Sequence, residues 1–254
     1  MSMASRTAAP DAVADALVVL AGRIPSSVVV DIGGGSGTRA VPLALLGCTV
    51  LVVDSSIDAL AILRRRASDA GVAGRISAIQ ADAVSLSDAV PRGEADLVLC
   101  HHLLETVDDP AAAVAGVAAA LKPGGAASIL VAGRLAAVLA QAVAGRFGEA
   151  SAILNDADGR YGPDDPLRRR FDLAGLETLL QTGGLEVESI TGFGVVSGLI
   201  PGGGVRLIGG RTGRSSGATV EEPGLAQLEA ELCTHRQMRE IAANLHAVAR
   251  TTTG

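Results

Sequence analysis

Glycine and aspartate mark the positions of this sequence that could do chemistry. Asp31 precedes Gly33, Gly34, Gly35 and Gly37, and the group ends the uncharged β-branched run Val28-Val29-Val30. A strand that stops in glycines before a helix can lay its backbone against a ligand, because no Cβ intervenes and φ > 0 is open to it. The free N–H groups opening the helix then face that ligand. Asp54 closes a second apolar run about 20 residues past Gly33, the distance at which a carboxylate accepts both hydroxyls of a ribose. Asp82 closes a third run, where a carboxylate can accept from the amino group of an adenine. Cys100-His101-His102 ends a fourth, beside the place a reacting group would occupy. These positions describe a nucleoside-binding edge, with Ser55, Ala83 and Cys100 counted beside the three acids and the glycines. His101 is the candidate catalytic group, an imidazole able to take a proton near neutral pH. Plainer readings stand beside each: a tight turn for the glycines, a helix cap for Asp54, a turn acid for Asp82, packing for His102.

The elements that must position these residues alternate. Asp11 caps a first helix with Val13, Leu17 and Leu20 on one face. Strand Val28–Ile32 follows, then the glycine loop and a helix from Thr38. Thr49–Val53 reads as a strand closing on Asp54, and Ser55 or Ser56 caps a helix through Ala70 that Gly71 ends. Arg75–Gln80 and Asp96–Cys100 are further strands. Asp109-Pro110 opens the alanine-rich helix Ala111–Leu121, with proline at its first position. Lys122-Pro123-Gly124-Gly125 turns into strand Ala127–Val131. Helices at about 134–146 and 149–156 and a polar loop break the alternation, a lid-like insertion over 134–172. Asp172 then caps a helix to Leu180, Leu185–Ile190 is a strand, a helix carries Leu225, Leu228 and Leu232, and Asn244–Arg250 is the last strand. Strand–helix alternation predicts an α/β fold, a mostly parallel sheet with helices on both faces. We expect one domain over 1–254 with a flexible arm at 1–10.

Composition supplies a core and excludes several classes. The 254 residues are 48% hydrophobic but only 2% aromatic, so Ala, Val, Leu and Ile must fill the interior. A net charge of −6 does not suggest bulk nucleic-acid binding. Cys48, Cys100 and Cys233 are scattered, matching neither a disulfide framework nor a zinc site. No signal peptide or membrane span is expected, which places the protein in the cytoplasm. All four aromatics, Phe147, Tyr161, Phe171 and Phe193, cluster in one part of the chain, either as a stacking surface for a planar substrate or as filler. Arg160, Arg168, Arg169 and Arg170, with Arg206, Arg211 and Arg214 in the acid-free stretch Gly192–Gly217, could grip a carboxylate or phosphate, or form a solvated face.

The run Asp31-x-Gly33-x-Gly35-x-Gly37 resembles motif I of the class I S-adenosylmethionine (SAM) methyltransferases. Asp54, Asp82 and Leu121-Lys122-Pro123-Gly124-Gly125 resemble that family's ribose acid, adenine acid and turn before strand five. The resemblance implies SAM as cofactor, methyl transfer to an O or N nucleophile, and a Rossmann-like seven-stranded sheet with an antiparallel last strand. Leu99-Cys100-His101-His102-Leu103-Leu104-Glu105-Thr106-Val107-Asp108-Asp109-Pro110, Gly162-Pro163-Asp164-Asp165-Pro166 and Leu245-His246-Ala247-Val248-Ala249-Arg250 look most like the bacterial tRNA methyltransferase that esterifies carboxymethoxyuridine. The aromatic, basic N-terminal arm of that enzyme is not recognisable in Met1–Arg23. The acceptor is then a small molecule or a modified tRNA base, and the chain a monomer or homodimer. The rival classes are a non-catalytic SAM-binding protein and a nicotinamide-dependent reductase. Thr38 stands where the dinucleotide fingerprint needs Gly or Ala, which argues against the reductase.

Overall fold

Seven short runs of β-branched and small apolar residues pair into one sheet. The computed structural model describes residues 12–22, 26–81, 89–199 and 223–251. Its strands are β1 (Val28–Ile32), β2 (Thr49–Asp54), β3 (Ile76–Gln80), β4 (Ala95–His101), β5 (Leu121–Ala132), β6 (Leu185–Phe193) and β7 (Asn244–Thr251). They lie in the order β3-β2-β1-β4-β5-β7-β6. Only β7 runs against its neighbours, pairing antiparallel with both β5 and β6. The expected Rossmann-like sheet, mostly parallel with its last strand reversed, is the one observed. Strand order turns back between β1 and β4, which opens a crevice at their carboxyl ends.

Alternate residues of each central strand enter opposite cores. On one face α1 (Ala12–Gly22), α2 (Ala40–Leu45) and α3 (Ile57–Asp69) bring Leu17, Leu43, Leu60 and Leu63 onto Val29, Val50, Val52 and Leu99. On the other, α4 (Pro110–Ala120) and α7 (Leu173–Thr182) bring Val114, Val117, Leu176 and Leu180 onto Val30, Val98 and Ile129. The caps among the described residues fall where the sequence puts them, while the expected cap Asp11 lies outside those residues. Ser56 Oγ accepts from Ala59 N–H, Asp109 from Ala112 N–H, and Asp172 from Gly175 N–H. Ser56, not Ser55, is therefore the cap of α3.

Among the boundaries that differ from expectation, three have a clear local reason. α2 begins at Ala40 rather than Thr38, because Gly37 N–H closes a turn on Gly34 O at 3.0 Å before the helix can start. β5 begins at Leu121 rather than Ala127. Leu121 still pairs with Ala95 across an irregularity, so the Lys-Pro-Gly-Gly segment stays in the ladder. β6 continues past Ile190 to Phe193 because Asn244 of β7 pairs with it.

Between β5 and α7 the chain leaves the sheet at Gly133 and returns at Phe171, and these two residues form a bridge. The excursion holds α5 (Arg134–Val143) and α6 (Phe147–Asn155). Arg134 closes it: its guanidinium donates to the carbonyls of Ile153, Leu154, Asp156 and Ala157 at the end of α6. Such carbonyls have no helical partner of their own. α8 (Pro223–Leu232) follows β6 in the chain, and its Glu229 accepts from the N–H groups of Val195, Val196 and Ser197. Asp82, Ala83, the arm at 1–10, and Arg206, Arg211 and Arg214 lie outside the described residues. Among the described residues no helix is long and apolar enough to cross a membrane.

Candidate functional site

The glycine loop and Asp54 meet at the crevice. Gly33, Gly35 and Gly37 have φ of +73°, +54° and +78°, a region that side chains with a Cβ rarely occupy. A Cβ at Gly37 would also run into Leu63 Cδ1, so here the glycine serves both turn and packing. At Gly34 a Cβ would stand 2.5 Å from the Asp31 carboxylate, which the loop folds over. Asp54 reaches across from β2. Its Oδ2 accepts from Gly35 N–H at 2.9 Å and its Oδ1 from Ser56 N–H at 2.8 Å. Gly33 N–H also donates to Val53 O at 2.7 Å, so the loop is pinned to β2 at two points. An ionised carboxylate has about four acceptor positions, which leaves Asp54 capacity for a ligand's hydroxyls. Ser55 is exposed on this rim, its carbonyl accepting from Gln80 Nε2 at 3.2 Å.

Asp31 is only 2% exposed, and its Oδ2 has no hydrogen-bond partner. Burial pushes its pKa up to about 7; the Arg39 charge works against the rise and the Asp54 charge adds to it. A buried carboxyl with an orphaned oxygen beside a glycine cradle suits a cationic ligand. The residues present therefore fit SAM, whose methionine end carries a sulfonium and an ammonium.

At the end of β4 the predicted positions separate. Cys100 is fully buried in the core beneath α4, where burial first and then the charges of Glu105 and Asp31 raise its thiol far above the usual range. Its side chain is core, leaving only main-chain groups to meet a ligand. His101 lies on the opposite face. Its Nε2 is 2.9 Å from Ser128 Oγ, and that hydroxyl is 2.7 Å from Nε2 of His246 on β7. The two imidazoles sit edge to face at 6.1 Å, with the Phe193 ring 6.0 Å beyond His246. Burial foremost, then the charges of His246, Arg39 and His102, hold His101 well below the ordinary histidine value of 6.5. Burial and then Arg39 hold His246 down to about 4. Both rings are neutral at pH 7, so the expectation of a proton acceptor at His101 poised near neutrality does not match its surroundings. Sequence reasoning left Ser128 and His246 unassigned. The signal available was a lone polar residue inside each of two apolar strands.

The aromatics do not form one stacking surface. Phe171 is core, Phe147 is 71% exposed, Tyr161 lies beside Arg170, and only Phe193 faces the histidines. The arginines of the insertion are occupied too. Arg170 pairs with buried Asp165, Arg168 with Asp108, and Arg169 donates to the carbonyls of Leu104, Val107 and Asp108. Arg160 donates to Gly162 O. These charges order loops. Among the described residues no cluster of His, Cys, Asp and Glu is arranged to hold a metal ion.

The buried titrating groups set the pH dependence of stability. Between about pH 4 and 6.5 the unfolded chain binds protons on His101 and His246 that the folded chain refuses, so these two favour folding at higher pH. Asp31 acts oppositely, since its raised folded value of about 7 makes the folded state the better proton binder above 3.8. The two lowered histidines outnumber the one raised carboxyl, so stability should rise with pH through this window. His246→Gln removes one of the two histidine contributions. Melting temperature followed across this window is expected to rise more steeply in the wild type than in the variant.

Comparison with known proteins agrees with this geometry. Residues 30–129 match the family profile described as a methyltransferase domain. The ubiquinone biosynthesis O-methyltransferase of Burkholderia thailandensis is 36% identical over 102 residues, 40% of this chain and 43% of that protein. The counterpart from Thiobacillus denitrificans is 38% identical over 99 residues, 38% of this chain and 40% of that one. The chain thus spans less than half the length of the curated relatives it matches. In overall shape it is similar to the (4+2)-cyclase SpnF, with a TM-score of 0.63 at 18% identity over 96% of this chain and 81% of that one. Residues 30–129, which hold the glycine loop, Asp54, His101 and Ser128, match the methyltransferase-domain profile and lie in a seven-stranded sheet that continues to β7.

Proposed function

We propose that the chain is a SAM-dependent methyltransferase acting on an oxygen nucleophile of a small organic molecule. The observation that carries this reading is the closure of the glycine loop on Asp54, Gly35 N–H to Oδ2 at 2.9 Å, at the crevice where the sheet order reverses. Asp54 would hold the ribose and the glycine backbone would line the cofactor. Asp31 would face its cationic end. Asp82 and Ala83 are proposed for the adenine from the sequence pattern alone. SAM when bound supplies a methyl already activated on a sulfonium sulfur, so the protein's share is proximity and orientation.

The acceptor would lie beyond β4, between the His101–Ser128–His246 chain and the 134–172 insertion, in a single unit with the sheet. His101 is proposed there as a neutral hydrogen-bonding group that orients the acceptor. The O-methyltransferase names of the curated relatives support an oxygen acceptor. The tRNA reading has the motif resemblance after β4 in its favour, but the insertion's arginines that would meet phosphates are bound to Asp165, Asp108 and backbone carbonyls.

Thermal shift with SAM, NAD and NADP tests the cofactor. At a hundredfold excess over Kd, SAM should raise the melting temperature by about 5–10 °C and the nicotinamide nucleotides should not. Labelled methyl from SAM is then followed into the tRNA, protein and small-molecule fractions of a cell extract. Label in the small-molecule fraction is expected. Label in tRNA instead would reverse the choice of acceptor, and binding without label in any fraction would mean a SAM-binding protein without turnover.

A further inference from the structure

We propose that His102 and Glu105, rather than His101, form the general base of the site, and that the acceptor is a hydroxyl that must lose its proton. This rests on the methyltransferase reading above and names the acceptor class for it.

Glu105 is 1% exposed, and its Oε1 stands 3.0 Å from His102 Nδ1 while accepting Ala132 N–H at 2.7 Å. A carboxylate can only accept, so this contact fixes the proton of neutral His102 on Nδ1 and leaves Nε2 with the lone pair. Oε2 of the same carboxylate is buried with no partner. The dyad is held from both sides. His102 N–H donates to Leu130 O at 2.8 Å, and the Glu105 carbonyl accepts from Arg168 and Arg169 N–H. His102 has φ +54°, one of two non-glycine residues in the left-handed region among those described. Backbone strain of this kind persists where surroundings over-determine it, and it gathers at functional sites.

Position agrees with chemistry. The His102 side chain is 32% exposed, and the next residue, Leu103, packs 3.4 Å from where a Cβ on Gly33 would stand. The dyad therefore borders the cofactor loop. His101 has its Nε2 committed to Ser128 and its basicity depressed, whereas His102 sets its Nδ1 against a buried carboxylate. The neighbouring His101 is electrostatically coupled to His102, and Asp108 is paired with Arg168. In the step, the acceptor oxygen forms its bond to the methyl carbon as the carbon–sulfur bond breaks and its electron pair stays on sulfur. The hydroxyl proton passes to His102 Nε2, giving an imidazolium beside Glu105 that later releases the proton to water. A carboxylate acceptor would need no such group.

Two measurements test this. Nitrogen-15 NMR on the chain's four histidines should show His102 as the Nδ1–H tautomer. An Nε2–H tautomer overturns the dyad whatever the acceptor proves to be. Methyl transfer from SAM to catechol and to a nitrocatechol already ionised at the assay pH is then compared in wild type and His102→Gln. We expect kcat on catechol to fall about 100-fold or more with KM for SAM unchanged, and the loss to shrink to a few-fold on the ionised nitrocatechol. Glu105→Gln, which keeps an acceptor oxygen but not the charge, should lie between. Equal losses on both acceptors, or no loss on catechol, would overturn the dyad while leaving the methyltransferase reading intact. A wild-type chain that binds no SAM by calorimetry would overturn that reading and the dyad's role with it.

Discussion

Asp54→Ala is expected to weaken SAM binding by about 3 kcal/mol, roughly 100-fold in Kd. Two losses combine. The ribose hydroxyls lose a charged acceptor, and hydrogen bonds to charged groups are worth about 1.5–3 kcal/mol each before solvent discounts them at this partly exposed rim. The glycine loop also loses its tether, because Gly35 N–H and Ser56 N–H both end on this carboxylate. Asp54→Asn keeps one acceptor oxygen and turns a donor toward one of those N–H groups, so it should fall between, near tenfold. Ser56→Ala separates a cofactor role from helix support. It removes the cap of α3, whose Oγ accepts Ala59 N–H, and should cost about 1 kcal/mol of stability while leaving SAM affinity alone. Calorimetry that finds Asp54→Ala and Ser56→Ala indistinguishable would return Asp54 to the role of a turn acid.

This pair of neighbours shows what the sequence could and could not reveal. That an acid ending a strand about 20 residues after a glycine loop comes to lie beside that loop is a local rule, and Asp54 does so. A helix cap is equally local, and the only ambiguity was between adjacent serines. The sheet was legible for the same reason: the central strands β1, β2, β4 and β5 each carry a short uncharged apolar run that is mostly buried. What spacing could not show is which side chains meet across strands. Ser128 and His246 lie 118 positions apart and come within 2.7 Å only because β5 and β7 pair in one register. The neutral state of His101 follows from that meeting and from burial, so its ordinary proton affinity was the wrong starting point. His102 was read as packing, since nothing in a sequence says that a residue has φ +54° or that the acid three places on is buried. The same gap misdirected the arginines. Their partners are mostly backbone carbonyls of the loops around 104–108 and 156–162, and a carbonyl leaves no mark in a sequence.

Arg170→Met should destabilise the protein by about 3–5 kcal/mol, a fall of roughly 6–20 °C in melting temperature for a chain of this size. Arg170 donates to Asp165 Oδ2 at 2.7 Å and Oδ1 at 3.1 Å, and its Nη1 also donates to Gly159 O at 2.8 Å. The side chains are 7% and 0% exposed, so removing the guanidinium strands a buried carboxylate with only Tyr161 and Leu167 N–H for partners. Burial alone would raise the Asp165 pKa, yet Arg170 and those two N–H groups outweigh it and hold the group below its ordinary 3.8. A depressed carboxylate stabilises the fold above its unfolded value and loses that contribution as pH falls through the folded one. The gap between wild type and variant should therefore narrow in acid below about pH 4. Asp165→Asn combined with Arg170→Met removes both charges and should recover much of the lost stability, because an unpaired buried ion costs more than an absent pair. The acceptor KM gives the decisive contrast. If Arg170 serves the loop, the double variant regains a KM near that of wild type as the insertion refolds. A KM that stays tenfold high in a restored fold would mean that this guanidinium grips the substrate after all.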